Sequence, residues 1–345
     1  MAIYRNKILK MKSKFLSACI LLFGYFGCTG ENRKEGVQTA FDGFAQGTTY
    51  HIVVRSDREV DLKGDIDSLL GVIDRSMSLY DPQSLLSRLN RNETDSVDRF
   101  IAFCLDEARG IAEETGGLYD VTIKPLTSAY GFAGDSAVLR PNVDSLLELV
   151  GYRKISVENG RLVKADSRMQ IDLNSIAQGA TSDYIAAYID SLGFTDYLVE
   201  VGGEIFSRGT NAKGLPWVVG IDRPAEGNFT PGADLQVKIG LSGRGLATSG
   251  NYRKFYTDDD GRKIVHTVDP LTGEPVVSNL LSATVVARTA TLADAYGTAL
   301  MVMGLERSKA FLATLSDVEA YLVYSDDRGE FRTYATPGME QLVVR

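Results

Sequence analysis

Residues 281–303 read Leu-Ser-Ala-Thr-Val-Val-Ala-Arg-Thr-Ala-Thr-Leu-Ala-Asp-Ala-Tyr-Gly-Thr-Ala-Leu-Met-Val-Met. The opening run, 281–287, is rich in β-branched and small apolar residues and predicts a strand. From about 290 the composition changes to alanine, leucine and methionine, which predicts a helix to about 303, ended by Gly304. Upstream, the last third of the chain is strand-rich, with strands expected at 216–222, 234–240, 245–249 and 263–268. The middle section combines a helix at 142–150 with strands near 154–157 and 161–165. It continues through Met169–Leu173, read as a strand ending at Asp172, into a helix from about 175 to 192 closed by Gly193. A strand at 196–201 then enters Gly202-Gly203. Nearer the start, residues 41–55 predict one strand in which Gly47 marks a bend or bulge. Helices follow at 61–77, after a turn at 78–82 through Leu89, and at 98–115, the last stopped by Gly116-Gly117. Strands and helices mix without regular alternation, which argues for an α+β fold rather than a doubly wound sheet.

The 290–303 helix is also where chemistry first stands out. Asp294 and Thr298 are four apart and share one face of a largely apolar segment. A carboxylate is costly to bury there without a partner. A hard cation, which takes carboxylate, hydroxyl and carbonyl oxygens, is one such partner; an arginine, or a place in the helix cap, are the others. The second segment is Ile171-Asp-Leu-Asn-Ser-Ile-Ala-Gln-Gly-Ala, where a helix is expected to begin near Asn174 or Ser175. Its exposed N–H groups suit phosphate oxygens, and carbonyls of the preceding turn stay free to face a metal. Asp172 fits that picture or a plain helix cap.

Glycine clusters give a third signal. Gly116-Gly117-Leu-Tyr-Asp, Gly202-Gly203-Glu and a Thr248-Ser-Gly-Asn-Tyr turn each follow a predicted element and could admit a flat cofactor close to the backbone. None is a Walker loop or a Rossmann fingerprint. There are two histidines. His51 lies within a predicted strand and reads as structural. His266 sits where a strand delivers it to the turn Thr-Val-Asp-Pro-Leu-Thr-Gly, a suitable place for a base near neutral pH.

The first 28 residues read as an address. Arg5, Lys7, Lys10, Lys12 and Lys14 precede an apolar run, Phe15–Gly27, of 13 residues, short for a permanent span but suited to a signal peptide. Gly27-Cys28 then forms a loose lipobox, so Cys28 is the expected lipidation site, residues 29–38 a flexible tether and 39–345 the globular domain. The protein is accordingly expected to be exported and lipid-anchored to a bacterial membrane, facing the periplasm. Removing the five leader charges takes the net charge from −8 to −13, which excludes nucleic acid as a partner. Cys104, within Phe-Cys-Leu, is left as a buried small hydrophobe and no internal disulfide is expected.

Taken in order, these segments resemble the ApbE family, the FAD:protein FMN transferases. The resemblance covers about residues 41 to 325. It is carried by Gly47-Thr-Thr-Tyr-His-Ile, Ser78-Leu-Tyr-Asp-Pro-Gln-Ser-Leu-Leu-Ser-Arg-Leu-Asn, Gly116-Gly-Leu-Tyr-Asp-Val-Thr-Ile-Lys-Pro-Leu and Tyr130-Gly-Phe. It continues in Ile171-Asp-Leu-Asn-Ser-Ile-Ala-Gln-Gly, Val201-Gly-Gly-Glu-Ile, Ala247-Thr-Ser-Gly-Asn-Tyr, His266-Thr-Val-Asp-Pro-Leu-Thr-Gly and Ala293-Asp-Ala-Tyr-Gly-Thr-Ala. The resemblance implies a two-lobed, T-fold-related α+β domain with FAD in a cleft between lobes. It implies Mg²⁺ held by the Ser175 carbonyl, the Asp294 carboxylate and the Thr298 hydroxyl. Contacts to FAD would map to Gln46, Tyr80, Leu118, Tyr119, Asp120, Asp172, Gln178 and His266, with Thr248, Ser249 and Gly250 close to the diphosphate.

In the implied reaction a threonine hydroxyl of an acceptor takes FMN and AMP leaves, with His266 as base and Asp172 as the alternative. The acceptor would be a subunit of a membrane redox complex carrying a Ser/Thr-rich motif. Gly179-Ala-Thr181-Ser echoes such a motif only by coincidence, on a predicted helix. Two positions depart from the family's pattern: Gln46, often methionine, and Gln178, often lysine or glutamate. The competing readings are an FAD pyrophosphatase, in which water replaces the threonine, an FAD-binding lipoprotein without catalysis, and a transporter's solute-binding lipoprotein.

Overall fold

The pair quoted above forms the middle of the fold, in a computed structural model that describes residues 36–132, 141–224, 232–251, 255–257 and 263–344. Residues Glu35–Arg345 form one compact unit. The leader, Cys28 and most of the expected tether lie outside the described residues.

The chain opens with strands β1 (Val37–Ala45) and β2 (Thr48–Ser56), then helices α1 (Lys63–Met77), α2 (Leu85–Asn90), α3 (Arg99–Glu114), α4 (Lys124–Ala129) and α5 (Val143–Leu147). A small hairpin, β3 (Ile155–Glu158) and β4 (Arg161–Lys164), leads to α6 (Ala177–Ser191), β5 (Asp196–Val201) and β6 (Glu204–Arg208). Next come β7 (Trp217–Asp222), β8 (Leu235–Leu241), β9 (Arg244–Gly250), β10 (Phe255–Thr257) and β11 (Lys263–Val265). The last elements are β12 (Leu280–Ala287), α7 (Ala290–Met303), α8 (Leu305–Leu312), β13 (Glu319–Ser325), β14 (Phe331–Ala335) and α9 (Pro337–Leu342).

Eight strands make one antiparallel sheet in the order β1-β2-β5-β6-β9-β12-β13-β14. Successive side chains of a strand point to opposite faces. On β12, Val285 joins the core under the helices while Val286 joins Trp217, Ile239 and Met339 on the other side. A strand covered on both faces reads as a continuous apolar run rather than an alternation. That is why 281–287 was so legible. Helices α3 and α7 pack on one face, and the β7–β8 hairpin with α9 covers the other. The expected α+β class is observed.

Four local expectations are corrected. Residues 41–55 are two strands: Gln46 (φ 52°) and Gly47 (φ 73°) make a two-residue hairpin turn, with Ala45 opposite Thr48. Such turns need positive φ at both positions, and glutamine there lacks the usual Asn-Gly signature. Met169–Leu173 is extended but joins no strand. The Asn90 side chain takes the place of a neighbouring strand, its Nδ2 donating to the Ile171 carbonyl (2.8 Å) and its Oδ1 accepting from Ile171 N–H (2.7 Å). Thr248–Gly250 is the end of β9, paired with Ser282–Thr284, and not a turn. Finally, the sequence reading did not separate helices α8 and α9 and strands β13 and β14 in the last third, or β6 before it.

The bland readings stand up. Cys104 is fully buried with its Sγ 3.5 Å from Met77 Sδ, and burial holds its thiol far above the usual range. His51 pairs on the surface with Asp42, 2.7 Å away. Thr181 is fully buried, its hydroxyl donating to the Ala177 carbonyl at 2.7 Å, so the Gly179–Ser182 echo of an acceptor motif is out of reach.

Candidate functional site

A cavity of about 320 Å³ opens where α7, the start of α6 and the end of β9 converge. Helix α7 contributes one face, Asp294, Thr298, Met301 and Val302, at the spacing of successive helical turns. The chain entering α6 contributes Asp172, Asn174, Ser175 and Gln178. Strand β9 supplies Thr248, Ser249 and Gly250, and the segment after α3 supplies Leu118, Tyr119 and Asp120. The loop after β11 brings His266, and Tyr80, 68% exposed, stands at the rim. Thus every site residue expected from the sequence lines this cavity, apart from Gln46 and the lipidation site Cys28, which lies outside the described residues.

Gln46 stands one turn further along α6. Its Nε2 donates to Thr181 Oγ1 (2.8 Å), and its neighbour Thr48 lies beside Gly202 and Gln178. The hairpin tip therefore braces the helix behind the cavity instead of lining it.

The α6–α7 contact sets the geometry. A Cβ on Gly179 would lie 2.4 Å from the Ala290 carbonyl oxygen and 2.9 Å from Asp294 Cβ, so only glycine lets the helices approach this closely. In a regular helix the Gly179 N–H would be donated to the Ser175 carbonyl. Here it is donated to Asp294 Oδ2 at 3.2 Å, and among the described residues no backbone N–H reaches the Ser175 oxygen. Ser175, Asp294 and Thr298 all line the cavity. Gly179→Ala should cost about 3 kcal/mol, because the clash is with backbone that cannot move aside. Chemical denaturation measures it; an unchanged midpoint would show that the helices are not packed this closely.

Asp294 is buried and, among the described residues, has no cationic partner; the arginine and capping alternatives are not realised. Burial pushes its carboxyl up to about 7. Asp183, on the same helix pair, is pushed up to about 6, again chiefly by burial. Between about pH 4 and pH 6 both groups hold protons in the folded state that an unfolded carboxylate has released. The stability they confer is complete below about pH 4 and is lost as pH rises through about 6 to 7. In EDTA the protein should therefore melt at lower temperature at pH 8 than at pH 5, by on the order of 2–4 kcal/mol. A flat profile would contradict the burial of these carboxylates.

Asp120 lines the cavity, yet its carboxylate already accepts from Thr122 N–H (2.8 Å), Thr122 Oγ1 (2.6 Å) and Tyr152 N–H (2.6 Å). Its role is to hold the loop. Tyr119 is buried, and its hydroxyl accepts from Ser175 Oγ at 3.0 Å, fixing the turn that offers the Ser175 carbonyl. Asp172 accepts from Asn174 N–H at 2.9 Å. The His266 ring meets Phe132 edge-on, with centroids 6.3 Å apart. The loop behind it is tied down by Asp269, whose Oδ1 accepts from Leu271 N–H (2.8 Å), and by Tyr130 OH donating to the Gly273 carbonyl (3.1 Å).

Several lining residues were not assigned from the sequence: Asn174, Glu204, Thr127, Phe132 and Thr267. Asn174 and Glu204 lie inside motifs quoted above, so the segment was visible though the residue was not. Phe132 likewise lies inside the quoted Tyr130-Gly-Phe motif, while Thr127, on α4, comes from a position with no local sign of chemistry.

Comparison with known proteins shows the family of the whole chain. The sequence profile of the ApbE family matches residues 46–322. A Haemophilus influenzae protein named FAD:protein FMN transferase is 32% identical over 329 residues, covering 90% of this chain and 93% of its own. One of the same name from Escherichia coli K12 is 30% identical over 320 residues, covering 89% of each chain. Among solved structures, a flavin transferase ApbE from Vibrio cholerae superposes with a TM-score of 0.76 at 29% identity, covering 89% of this chain and 99% of its own. The Pseudomonas stutzeri flavinyl transferase ApbE, in its apo form, gives 0.77 at 29% identity, covering 89% and 97%.

Proposed function

Because this chain belongs to the ApbE family, we propose that it transfers FMN from FAD to a protein, with a threonine hydroxyl as acceptor and AMP as leaving group. The observation that carries the reading is the meeting of α6 and α7. It leaves the Ser175 carbonyl without a backbone donor and Asp294 buried without a counter-ion among the described residues, and Ser175, Asp294 and Thr298 line one cavity.

That donor set consists of hard oxygens only, which fits Mg²⁺. No cluster of three or more His, Cys, Asp or Glu side chains is found among the described residues, as expected when two of three protein ligands are a backbone carbonyl and a hydroxyl. Ser175, Asp294 and Thr298 would hold the ion. When bound, it neutralises charge on the FAD diphosphate as the P–O–P bridge breaks.

The chain's own groups do the rest. His266 takes the proton from the acceptor hydroxyl. The oxygen so freed forms a bond to the FMN-side phosphorus, the bond from that phosphorus to the bridging oxygen breaks, and AMP departs with that oxygen. Asp172 is the alternative base. Thr248, Ser249 and Gly250 face the cavity from β9 beside the diphosphate position, and Gln178 offers a neutral amide there. Leu118 and Tyr119 supply apolar wall for the flavin, with Tyr80 at the rim.

The acceptor in this proposal is a subunit of a membrane redox complex with an exposed Ser/Thr-rich segment. A lipid on Cys28 would hold the enzyme on the same periplasmic membrane surface. Labelled palmitate should be incorporated by the wild type and lost in Cys28→Ala; incorporation that persists in the variant would take the lipid off Cys28.

The test of the function is stoichiometry. With FAD, Mg²⁺ and an acceptor domain, AMP release should match acceptor modification one for one and fall to a small background without acceptor. Equal release of AMP and free FMN in the absence of acceptor would make water the nucleophile and the protein a pyrophosphatase.

A further inference from the structure

We propose that Asp183 is a positioning residue: it fixes the register of α7 against α6, so that Asp294 and Thr298 meet the Ser175 carbonyl. The inference rests on the metal reading above and assigns a residue outside the cavity lining. Asp183 lies on α6, one turn beyond Gly179. Its Oδ1 accepts from Ala290 N–H (2.9 Å), and its Oδ2 accepts from Thr291 N–H (2.8 Å) and from the Thr291 hydroxyl.

These bonds run opposite in sense to the one described above. A carboxylate of α6 holds N–H groups of α7, while one turn along a carboxylate of α7 holds an N–H of α6, that of Gly179. The two contacts are reciprocal and spaced by a single turn on each helix. A slide of even one residue, about 1.5 Å along the axis, would break both. Octahedral Mg²⁺ tolerates far less, since its ligands stand at about 2.0–2.1 Å.

Ordinary capping does not account for this arrangement. Thr289 already caps α7, its hydroxyl accepting from Leu292 N–H at 3.2 Å. Asp183 is therefore a second device on the same helix end, supplied by the neighbouring helix. It is kept although burial of the carboxylate is costly and a second buried carboxylate, Asp294, is close enough to feel its charge. The three donors it satisfies need the two oxygens of a carboxylate; an amide offers one acceptor atom. Gly245 closes the clamp from the sheet side, since a Cβ there would lie 2.2 Å from Ala290 N.

Mn²⁺ binding followed by electron paramagnetic resonance on the FAD-free protein tests this directly. Asp183→Ala should raise the Mn²⁺ Kd by about 10-fold or more, the usual range for loss of a group that orients a metal ligand. The Mg²⁺ dependence of kcat should move with it, while KM for FAD stays put. Asp183→Asn, which keeps one acceptor, should recover part of the loss and carries the test if the alanine variant does not fold. Leu312→Ala, a buried change on α8, supplies the stability control and should lower the melting temperature without moving the Mn²⁺ Kd. Wild-type affinity in Asp183→Ala would overturn the proposal, as would equal weakening in Leu312→Ala. Absence of Mn²⁺ binding by the wild type would remove the metal reading and this inference together.

Discussion

Asp294→Ala should lower the rate of FMN transfer by about 10³-fold, the loss of roughly 4 kcal/mol of charge stabilisation at the diphosphate. Two effects coincide. The variant lacks the one carboxylate in the donor set, and it frees the Gly179 N–H to bond the Ser175 carbonyl, as a regular helix would. Both ligands are thereby lost through one substitution. The metal-free protein should tolerate the change well, because Asp294 is buried without a counter-ion and its carboxyl is pushed up to about 7. At pH 8 in EDTA the variant should melt at or above the wild-type temperature. Rate and melting temperature moving in opposite directions is the signature; a variant that both unfolds and fails would make Asp294 a structural residue.

His266→Asn should lower transfer by about 10²–10⁴-fold, the contribution of a well-placed general base. Binding of FAD, followed by flavin fluorescence, should change little, since the ring stands beside Phe132 at one wall and Asp269 and Tyr130 also hold the loop. Should transfer persist in the variant, the base is another group, and Asp172, lining the same cavity, is the one to replace next.

How much of this was visible in the sequence depended on what each element buries. Helix α7 was legible as a helix, and Asp294 and Thr298 stood out because they interrupt an otherwise apolar helix on one face. The Ile171–Ala180 segment was legible as part of the cavity wall, but its conformation was misread. The partner that holds it extended is Asn90, 81 residues away, and no local pattern shows such a bond. Gln46 was expected as a contact from the family resemblance alone; in the fold it makes a turn with Gly47 and braces α6 instead. Gly179 is the sharpest case. Its role is the absence of a side chain between two helices, so it reads as any small helical residue until the helices are placed together. The same holds for Asp183, whose partners begin 107 residues later.

The central claim is covalent transfer, and intact-protein mass spectrometry tests it most directly. A purified acceptor domain with a Ser/Thr-rich segment is incubated with this protein, FAD and Mg²⁺, alongside EDTA and Asp294→Ala controls. The account predicts a mass gain of one FMN less water on the acceptor, placed on a threonine by fragmentation and absent from both controls. An acceptor that stays unmodified while FAD is cleaved to FMN and AMP, or a gain that persists in EDTA and in Asp294→Ala, would contradict it.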